Sequence, residues 1–304
     1  MRRIARVQTV LTGTGEPVTI GPSHAFVVIG ERLNPSLRPA LAAEMAAGDF
    51  SRVNTDGLAQ VEAGARMLDI SAPPGDEKGV LLSQAVQTLQ QAVDVPLCIS
   101  ITSLDALHNV LAVYEGKPLV NGLTGDRSLL DAFLPVIADH GAAFVGMCTD
   151  ENGIPEEPTG RLSVAHVIVD RAIAHGLSGG DVMLDPVVMP IGARRSVGHT
   201  TLDTIRLIRG ELGVNTLCGA TNISIGLPNR RTLNAAFLAM LIAQGMPAAI
   251  TNPLDDTIRM TALAADMFMG HDENSERWLI ANRRGADLEA RRLERQEARR
   301  KRQS

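Results

Sequence analysis

The hydrophobic positions of this chain gather into short, nearly unbroken runs separated by longer stretches with one apolar face. The runs are Ala25–Gly30, Met67–Ser71, Val95–Ser100, Pro118–Asn121, Ala143–Met147, Val182–Asp185, Asn215–Gly219 and Ala248–Thr251. Runs of this length and continuity mark strands buried on both faces, as in a parallel sheet. Helix-like segments alternate with them: Phe50–Ala63, Gly79–Ala92, Ser103–Tyr114, Leu129–Asp139, Ser163–His175, Thr201–Glu211, Leu233–Gln244 and Asp255–Phe268. Gly64, Gly116, Gly141, Gly176, Gly213 and Gly245 each stand shortly before the next strand, where a left-handed residue ends a helix. Ser103 and Thr201 suit the N-cap position, where a hydroxyl accepts from a free backbone N–H.

Eight strands alternating with eight helices over about 250 residues predict a (β/α)8 barrel. An open doubly wound sheet is the alternative, but it more often carries a glycine-rich fingerprint after its first strand. Here that position reads Gly30-Glu31-Arg32-Leu33-Asn34, which is not G-x-G-x-x-G. Ahead of the first run, Ile4–Leu11 and Pro17–Ile20 flank the turn-rich residues 12–16 and predict a β-hairpin, placed as a cap over the barrel bottom. After Gly270, residues Asn274–Ala281 predict a short helix, and Gly285–Arg302 reads as a charged helix or frayed tail. The expected organisation is a hairpin over 1–24, a barrel over 25–282 and a basic tail over 283–304.

Composition narrows the function. The chain has 304 residues, 45% of them hydrophobic, enough for one large core. Aromatics are 3%, too few to build stacking platforms for single-stranded nucleic acid. The net charge of −5 is uneven: residues 283–304 hold nine Lys/Arg and four Asp/Glu, leaving −10 on the rest. An acidic body and interspersed glutamates argue against a nucleic-acid arm. Cys98, Cys148 and Cys218 lie far apart in apolar runs, fit no zinc spacing and read as buried thiols of a reducing compartment. Neither a secretory leader nor an apolar run long enough for a bilayer is recognisable, so the expected location is the cytoplasm.

Candidate chemistry lies where each strand ends, since in a barrel the reactive groups sit at the C-terminal ends of the strands. Glu31 and Asn34, Asp69 and Ser71, Ser100 and Thr102, Asn121, Thr149 and Asp150, Asp185, Asn222, and Thr251 and Asn252 occupy those positions. Asp69 and Asp185 stand among apolar neighbours, and a buried carboxylate requires partners. The loop after the seventh strand, Gly219 to Arg231, crowds Asn222, Ser224, Asn229 and Arg230 into nine residues. Alone it supports two readings equally: a turn chosen for its backbone angles, or one wall of a ligand site. No histidine falls at a strand end, and no H-x-x-H, H-E-x-x-H or G-x-S-x-G pattern is present, so no metal and no side-chain nucleophile are expected.

Five motifs in order make the pattern specific: Gly30-Glu31-Arg32-Leu33-Asn34, Leu68-Asp69-Ile70, Lys117-Pro118-Leu119-Val120-Asn121, Asp185-Pro186-Val187-Val188-Met189-Pro190 and Thr221-Asn222-Ile223-Ser224. Between about Val27 and Gly270 the chain resembles the pterin-binding methyltransferases, above all the methyltetrahydrofolate:corrinoid-protein methyltransferases. Cobalamin-dependent methionine synthase carries a related domain, and dihydropteroate synthase shares the fold. The resemblance implies a (β/α)8 barrel of the pterin-binding type that moves a methyl group between a protein-bound corrinoid and N5 of tetrahydrofolate. It implies tetrahydrofolate or methyltetrahydrofolate as substrate, cobalamin carried by a separate corrinoid protein, and a homodimer. Asp69 and Asp185 match the family's pterin-contacting aspartates, and Asn222 matches the asparagine near N5. Glu31, Asn121, Ser100, Ser103 and Arg230 complete the expected substrate site. Ser100 and Ser103 stand where the family often has Asp and Asn, and Ser71 where it has Asn, so fewer fixed polar contacts are available. The corrinoid signature D-x-H-x-x-G is absent: Asp105-Ala106-Leu107-His108 has the wrong spacing. Dihydropteroate synthesis is the competing activity, for which Arg194, Arg195 and Arg230 are available but no lysine-containing loop is evident; a non-catalytic pterin-binding subunit is the third reading.

Overall fold

The computed structural model describes residues 7–283. Within them the chain begins with a two-stranded antiparallel hairpin, β1 (Thr9–Leu11) and β2 (Val18–Ile20), paired Thr9 to Ile20 and Leu11 to Val18. Residues 4–6 of the longer strand expected from the sequence lie outside the described residues, as does the basic tail from 284 onward.

Eight parallel strands follow: β3 (Val27–Leu33), β4 (Met67–Ser71), β5 (Leu97–Ser100), β6 (Leu119–Thr124), β7 (Ala143–Met147), β8 (Val182–Asp185), β9 (Asn215–Thr216) and β10 (Ala248–Thr251). Their order in the sheet is β10-β3-β4-β5-β6-β7-β8-β9. The ring closes where Gly219 bridges Ile250 and the Ile250 N–H donates to the Cys218 carbonyl at 2.9 Å. This is a (β/α)8 barrel. The seventh barrel strand is shorter than the predicted 215–219: beyond Thr216 its pairing reduces to the Leu217 N–H on the Leu184 carbonyl at 3.1 Å and to this seam.

The outer helices are α2 (Ser51–Glu62), α3 (Val80–Ala92), α4 (Leu104–Leu111), α5 (Arg127–Asp139), α6 (Pro158–Ala174), α7 (Val197–Glu211), α8 (Arg230–Gln244) and α9 (Asp256–Phe268). One further helix, α1 (Pro39–Ala46), was not anticipated. Pro39 opens it at the first helical position, which needs no N–H donor, and it buries Leu41 and Met45. That i, i+4 pair is the signal that could have located it. Several predicted helices begin earlier than expected, because their first turns are polar: Asp126 caps α5 through the N–H groups of Ser128 and Leu129, and Pro158 starts α6. Residues 276–283 are helical, in line with the short helix expected there.

Two apolar layers hold the barrel together. The sheet's outward face packs against the helices, with Leu68, Ile70, Leu97, Ile99, Val120, Phe144 and Leu184 meeting Leu89, Leu107, Leu134 and Ile168. The inward face is a separate cluster of Val27, Ile29, Met67, Cys98, Leu119, Ala143, Val145, Met183, Leu217 and Ala248, joined by Leu11, Val18 and Ile20 of the hairpin. The hairpin therefore plugs the bottom of the barrel with its own side chains. Each fully buried aliphatic there contributes about 1.5–3 kcal/mol. Buried Asn215 fastens the plug, donating to Thr9 Oγ1 at 3.1 Å and to the Ile20 carbonyl at 3.0 Å. The chain's one tyrosine does the same on the other side: the Tyr114 hydroxyl accepts from the Leu97 N–H and donates to the Thr12 carbonyl, both at 3.0 Å.

No helix among the described residues is long and apolar enough to cross a membrane.

Candidate functional site

Side chains on a strand alternate between its two faces. Two residues beyond the apolar plug, the same inward face therefore carries Glu31 after Ile29, Asp69 after Met67, Ser100 after Cys98, Asn121 after Leu119 and Asp185 after Met183. Five of the predicted site residues thus form one polar layer above one apolar layer. The strand period places them on one face; across the sheet Ser100 stands opposite Asn121, while Asp69 stands opposite Cys98, one inward position closer to the plug.

Asp69 is the most enclosed member, at 4% exposure. Ser100 donates to its Oδ1 at 3.4 Å, and Asn121 Nδ2 donates to Ser100 Oγ at 3.4 Å. Burial pushes the Asp69 carboxyl up to about 6, opposed by hydrogen bonds from Cys98, Ser100 and Asn121 and reinforced by the nearby Glu31. Ser71 Oγ, in the same wall, is buried with no hydrogen-bond partner among the described residues. A donor without a partner at the inward end of a strand suits a polar ligand.

Asp185 ends β8. Its surface is partly open toward the mouth, but the carboxyl group lies among packed atoms, and burial pushes it up to about 7. The Val187 N–H donates to Asp185 Oδ1 at 2.7 Å and works against that rise, as does the positive charge of Arg161. Val187 holds φ 63°, a conformation rare for a β-branched residue. Arg161, on α6 and 3% exposed, donates from Nη1 to the Pro186 carbonyl at 2.6 Å and the Val187 carbonyl at 2.9 Å, and from Nε to the Pro155 carbonyl at 2.9 Å. Nothing in the sequence pointed to Arg161, because its partners are main-chain groups distant in the chain.

The loop after β9 forms a 3-10 turn, Ala220–Ser224, followed by Asn229 in the left-handed region at φ 52° as it enters α8. Asn222 is exposed at the rim, and its carboxamide folds over Gly219: a Cβ on Gly219 would come within 2.9 Å of Asn222 Nδ2. That carboxamide makes no hydrogen bond to a described residue, so its donor and acceptor both remain open. Thr221, part of the last sequence motif but given no role there, donates its hydroxyl to Glu31 Oε2 at 2.8 Å and ties the loop to the first barrel strand. Burial lifts the Glu31 carboxyl above its ordinary range, opposed by Thr221, Arg230 and Arg32. Arg230 laces the loop itself, donating from Nε to Ser224 Oγ at 3.0 Å and from Nη2 to the Thr221 carbonyl at 3.1 Å.

Ser103 does not join the layer. Its hydroxyl accepts from the Ala106 N–H at 3.1 Å as the N-cap of α4 and donates to the Glu77 carbonyl, so the cap uses the group that a ligand would need. The three cysteines are free and buried near the carboxylates: burial raises all three thiols, Asp69 and then Asp185 add to the rise at Cys98, and Asp185 adds to it at Cys148 and Cys218.

The arrangement offers two under-compensated carboxyls, a hydroxyl and a carboxamide inside an open mouth, with an uncommitted carboxamide at the rim. Carboxylates accept paired N–H groups, and the rim amide both donates and accepts. Among the described residues no group of three or more His, Cys, Asp or Glu is placed to hold a metal ion.

Comparison with known proteins gives the same direction. Residues 36–252 match the family model described as pterin binding enzyme. The chain is similar to the methylcorrinoid:tetrahydrofolate methyltransferase of Eubacterium limosum, 28% identical over 267 residues, covering 86% of this chain and 97% of that one. It is similar to the methionine synthase of Mycobacterium leprae, 26% identical over 253 residues, covering 79% of this chain but spanning only 21% of that much longer protein. Among solved structures, the dihydropteroate synthase of Coxiella burnetii, in complex with pteroic acid, superposes with a TM-score of 0.66 at 16% identity, over 86% of this chain and 98% of that one. That last likeness is one of fold.

Proposed function

The chain belongs to the pterin-binding enzyme family, and from that premise we propose that it transfers a methyl group between a corrinoid carried by a separate protein and N5 of tetrahydrofolate. Methyl transfer on a pterin is the common theme of the methyltransferase and methionine synthase relatives; the corrinoid partner and the direction of transfer are the finer part of the reading. The observation that carries it is the pairing of two inward carboxyls, Asp69 and Asp185, with the uncommitted Asn222 carboxamide at the rim.

Each residue has a role that its surroundings permit. A pterin presents a ring N–H and an amino group side by side, and a carboxylate accepts both in charge-assisted bonds. Asp185, with Oδ1 fixed by the Val187 N–H, keeps Oδ2 for such a contact. Asp69 supplies a second acceptor, steadied by the Ser100–Asn121 relay. Ser71 Oγ offers a further polar contact in the same wall. Glu31 and Arg230 act by fastening the rim loop, and so fix where Asn222 sits.

When the N5–CH3 bond breaks, its electron pair stays on N5, and a tertiary amine is a poor leaving group. The Asn222 amide donates a hydrogen bond that strengthens as that pair develops, which lowers the barrier without a charged acid. A corrinoid, when bound, supplies the cobalt centre that exchanges the methyl group. In this reading the corrinoid arrives on another protein: Asp105 and His108 are exposed on the outer helix α4 and do not have the corrinoid-signature spacing.

The test is anaerobic incubation of the protein with methylcobalamin and tetrahydrofolate, and separately with methylated corrinoid proteins. Formation of methyltetrahydrofolate is expected; no transfer from any of these donors contradicts the reading.

A further inference from the structure

Arg161 is an unusual side chain for its location. Its guanidinium is buried at 3% exposure, and it forms no ion pair with any described residue. Burying a guanidinium is costly unless its donors are satisfied. Here three of its five N–H donors bond backbone carbonyls, two of which, Pro186 and Val187, belong to the segment directly after Asp185.

That segment is strained. Val187 at φ 63° carries a branched side chain in the left-handed region, at a cost on the order of 1–3 kcal/mol. Such a conformation persists only where surrounding contacts impose it. Arg161 Nη1 bonds the carbonyls on both sides of the Val187 N–H and so imposes it. The outcome is that the Val187 N–H turns back onto Asp185 Oδ1 at 2.7 Å, while Oδ2 forms no hydrogen bond to a described residue.

We propose that Arg161 is the positioning residue of this site: from α6 it clamps the Pro186–Val187 turn in its strained form, which aims the free oxygen of Asp185 into the barrel mouth to receive a ligand's N–H groups. The ligand's identity rests on the pterin reading above; the coupling of Arg161 to Asp185 does not. Arg161 acts on no reacting atom and works entirely through Asp185.

A second effect runs along the same path. The Arg161 charge lowers the proton affinity of Asp185, against the burial that raises it. The other titratable groups facing Asp185 are Cys148 from the end of β7, Cys98 from β5 and Cys218 from the segment after β9, all thiols held neutral by burial. Arg161 in turn feels Arg194 across the rim. A lysine keeps the charge but cannot fork across separate carbonyls as a guanidinium does, so R161K weakens the clamp and R161M removes both clamp and charge.

The experiment reads Asp185 directly. Carboxyl-13C aspartate labelling of the ligand-free protein, with the Asp185 signal assigned by D185N, gives its titration midpoint in wild type, R161K and R161M. The midpoint is expected near 7 in wild type, about one pH unit higher in R161M and shifted in the same direction by less in R161K. On the same samples, tetrahydrofolate affinity at pH 7 is expected to fall about tenfold in R161M and about threefold in R161K, yet less than about twofold when R161M is added to D185N. An unmoved midpoint in R161K and R161M, or an equal loss of affinity with and without the Asp185 carboxylate, overturns the proposal. R161K alone decides it if R161M does not fold. A midpoint that moves while wild type takes up no tetrahydrofolate upholds the clamp and overturns the ligand assignment.

Discussion

Ser100 donates its hydroxyl to Asp69 across 3.4 Å, a long bond for a carboxylate acceptor. Behind it, Asn121 reaches Ser100 across another 3.4 Å. The relay is in place but slack, and Asp69 consequently keeps a raised proton affinity at the centre of the barrel. Asp185 is in the same condition by a different route, with one oxygen bonded and one open. Two buried acceptors left short of donors describe a site whose hydrogen bonding a ligand would complete.

That shortage has a price in stability, and its sign is fixed. The folded-state values of Asp69 and Asp185 rise from 3.8 to about 6 and about 7. Between roughly pH 4 and pH 7 the folded protein binds more protons than the unfolded chain, so stability falls as pH rises through that window. The contribution is fully present below the unfolded value and lost above the folded one. D185N, which keeps the shape and removes the charge, is expected to be more stable than wild type at pH 8 by about 1–3 kcal/mol and no more stable near pH 4. Denaturant melts at the two pH values check this; a difference independent of pH would contradict the buried, under-compensated carboxylate.

Ligand affinity should move the opposite way. Removing a charged acceptor of paired N–H groups costs about 1.5–3 kcal/mol, so D185N is expected to bind tetrahydrofolate roughly 10- to 100-fold more weakly. Wild-type affinity should increase from pH 5.5 to pH 8 as Asp69 and Asp185 ionise, and this gain should shrink in D185N. Calorimetric titration across that range measures both. Equal affinity for wild type and D185N at pH 8 would remove Asp185 from the binding site.

The hairpin plug should be separable from the site above it. Leu11 is fully buried among the inward-facing residues of the barrel. Leu11→Ala leaves a cavity there and is expected to cost about 2–5 kcal/mol, while tetrahydrofolate affinity at 15 °C stays within about twofold of wild type. A melt paired with a binding titration reads both. A large loss of affinity in protein that remains folded would mean that the plug shapes the polar layer directly.

How much of this was legible in the sequence depends on the range of the cause. Strands 67–71, 143–147, 182–185 and 248–251 fall where the apolar runs placed them, because burial on both faces writes itself into consecutive residues. α1 left only the Leu41–Met45 pair as a signal and was missed. The polar residues at strand ends were visible, but their shared inward layer required the register, which comes from pairing across the sheet. Ser103 could be read as a cap or as a contact, and only the Ala106 N–H shows that the cap claims its hydroxyl. Arg161 was invisible because it acts on carbonyls 25 and 26 residues away. Thr221 was hidden in the same way, its partner Glu31 lying at the far end of the barrel sequence.

The most direct test of the central claim is a single-turnover comparison of wild type and Asn222→Ala with methyltetrahydrofolate and reduced corrinoid, with tetrahydrofolate affinity measured on the same preparations. Asn222 is exposed, and its carboxamide has no partner among the described residues, so its removal should leave the fold intact. The methyl-transfer rate is expected to fall about 10²-fold, the scale of losing one well-placed donor to developing charge, while affinity changes by no more than about threefold. Transfer at the wild-type rate in Asn222→Ala would contradict that claim.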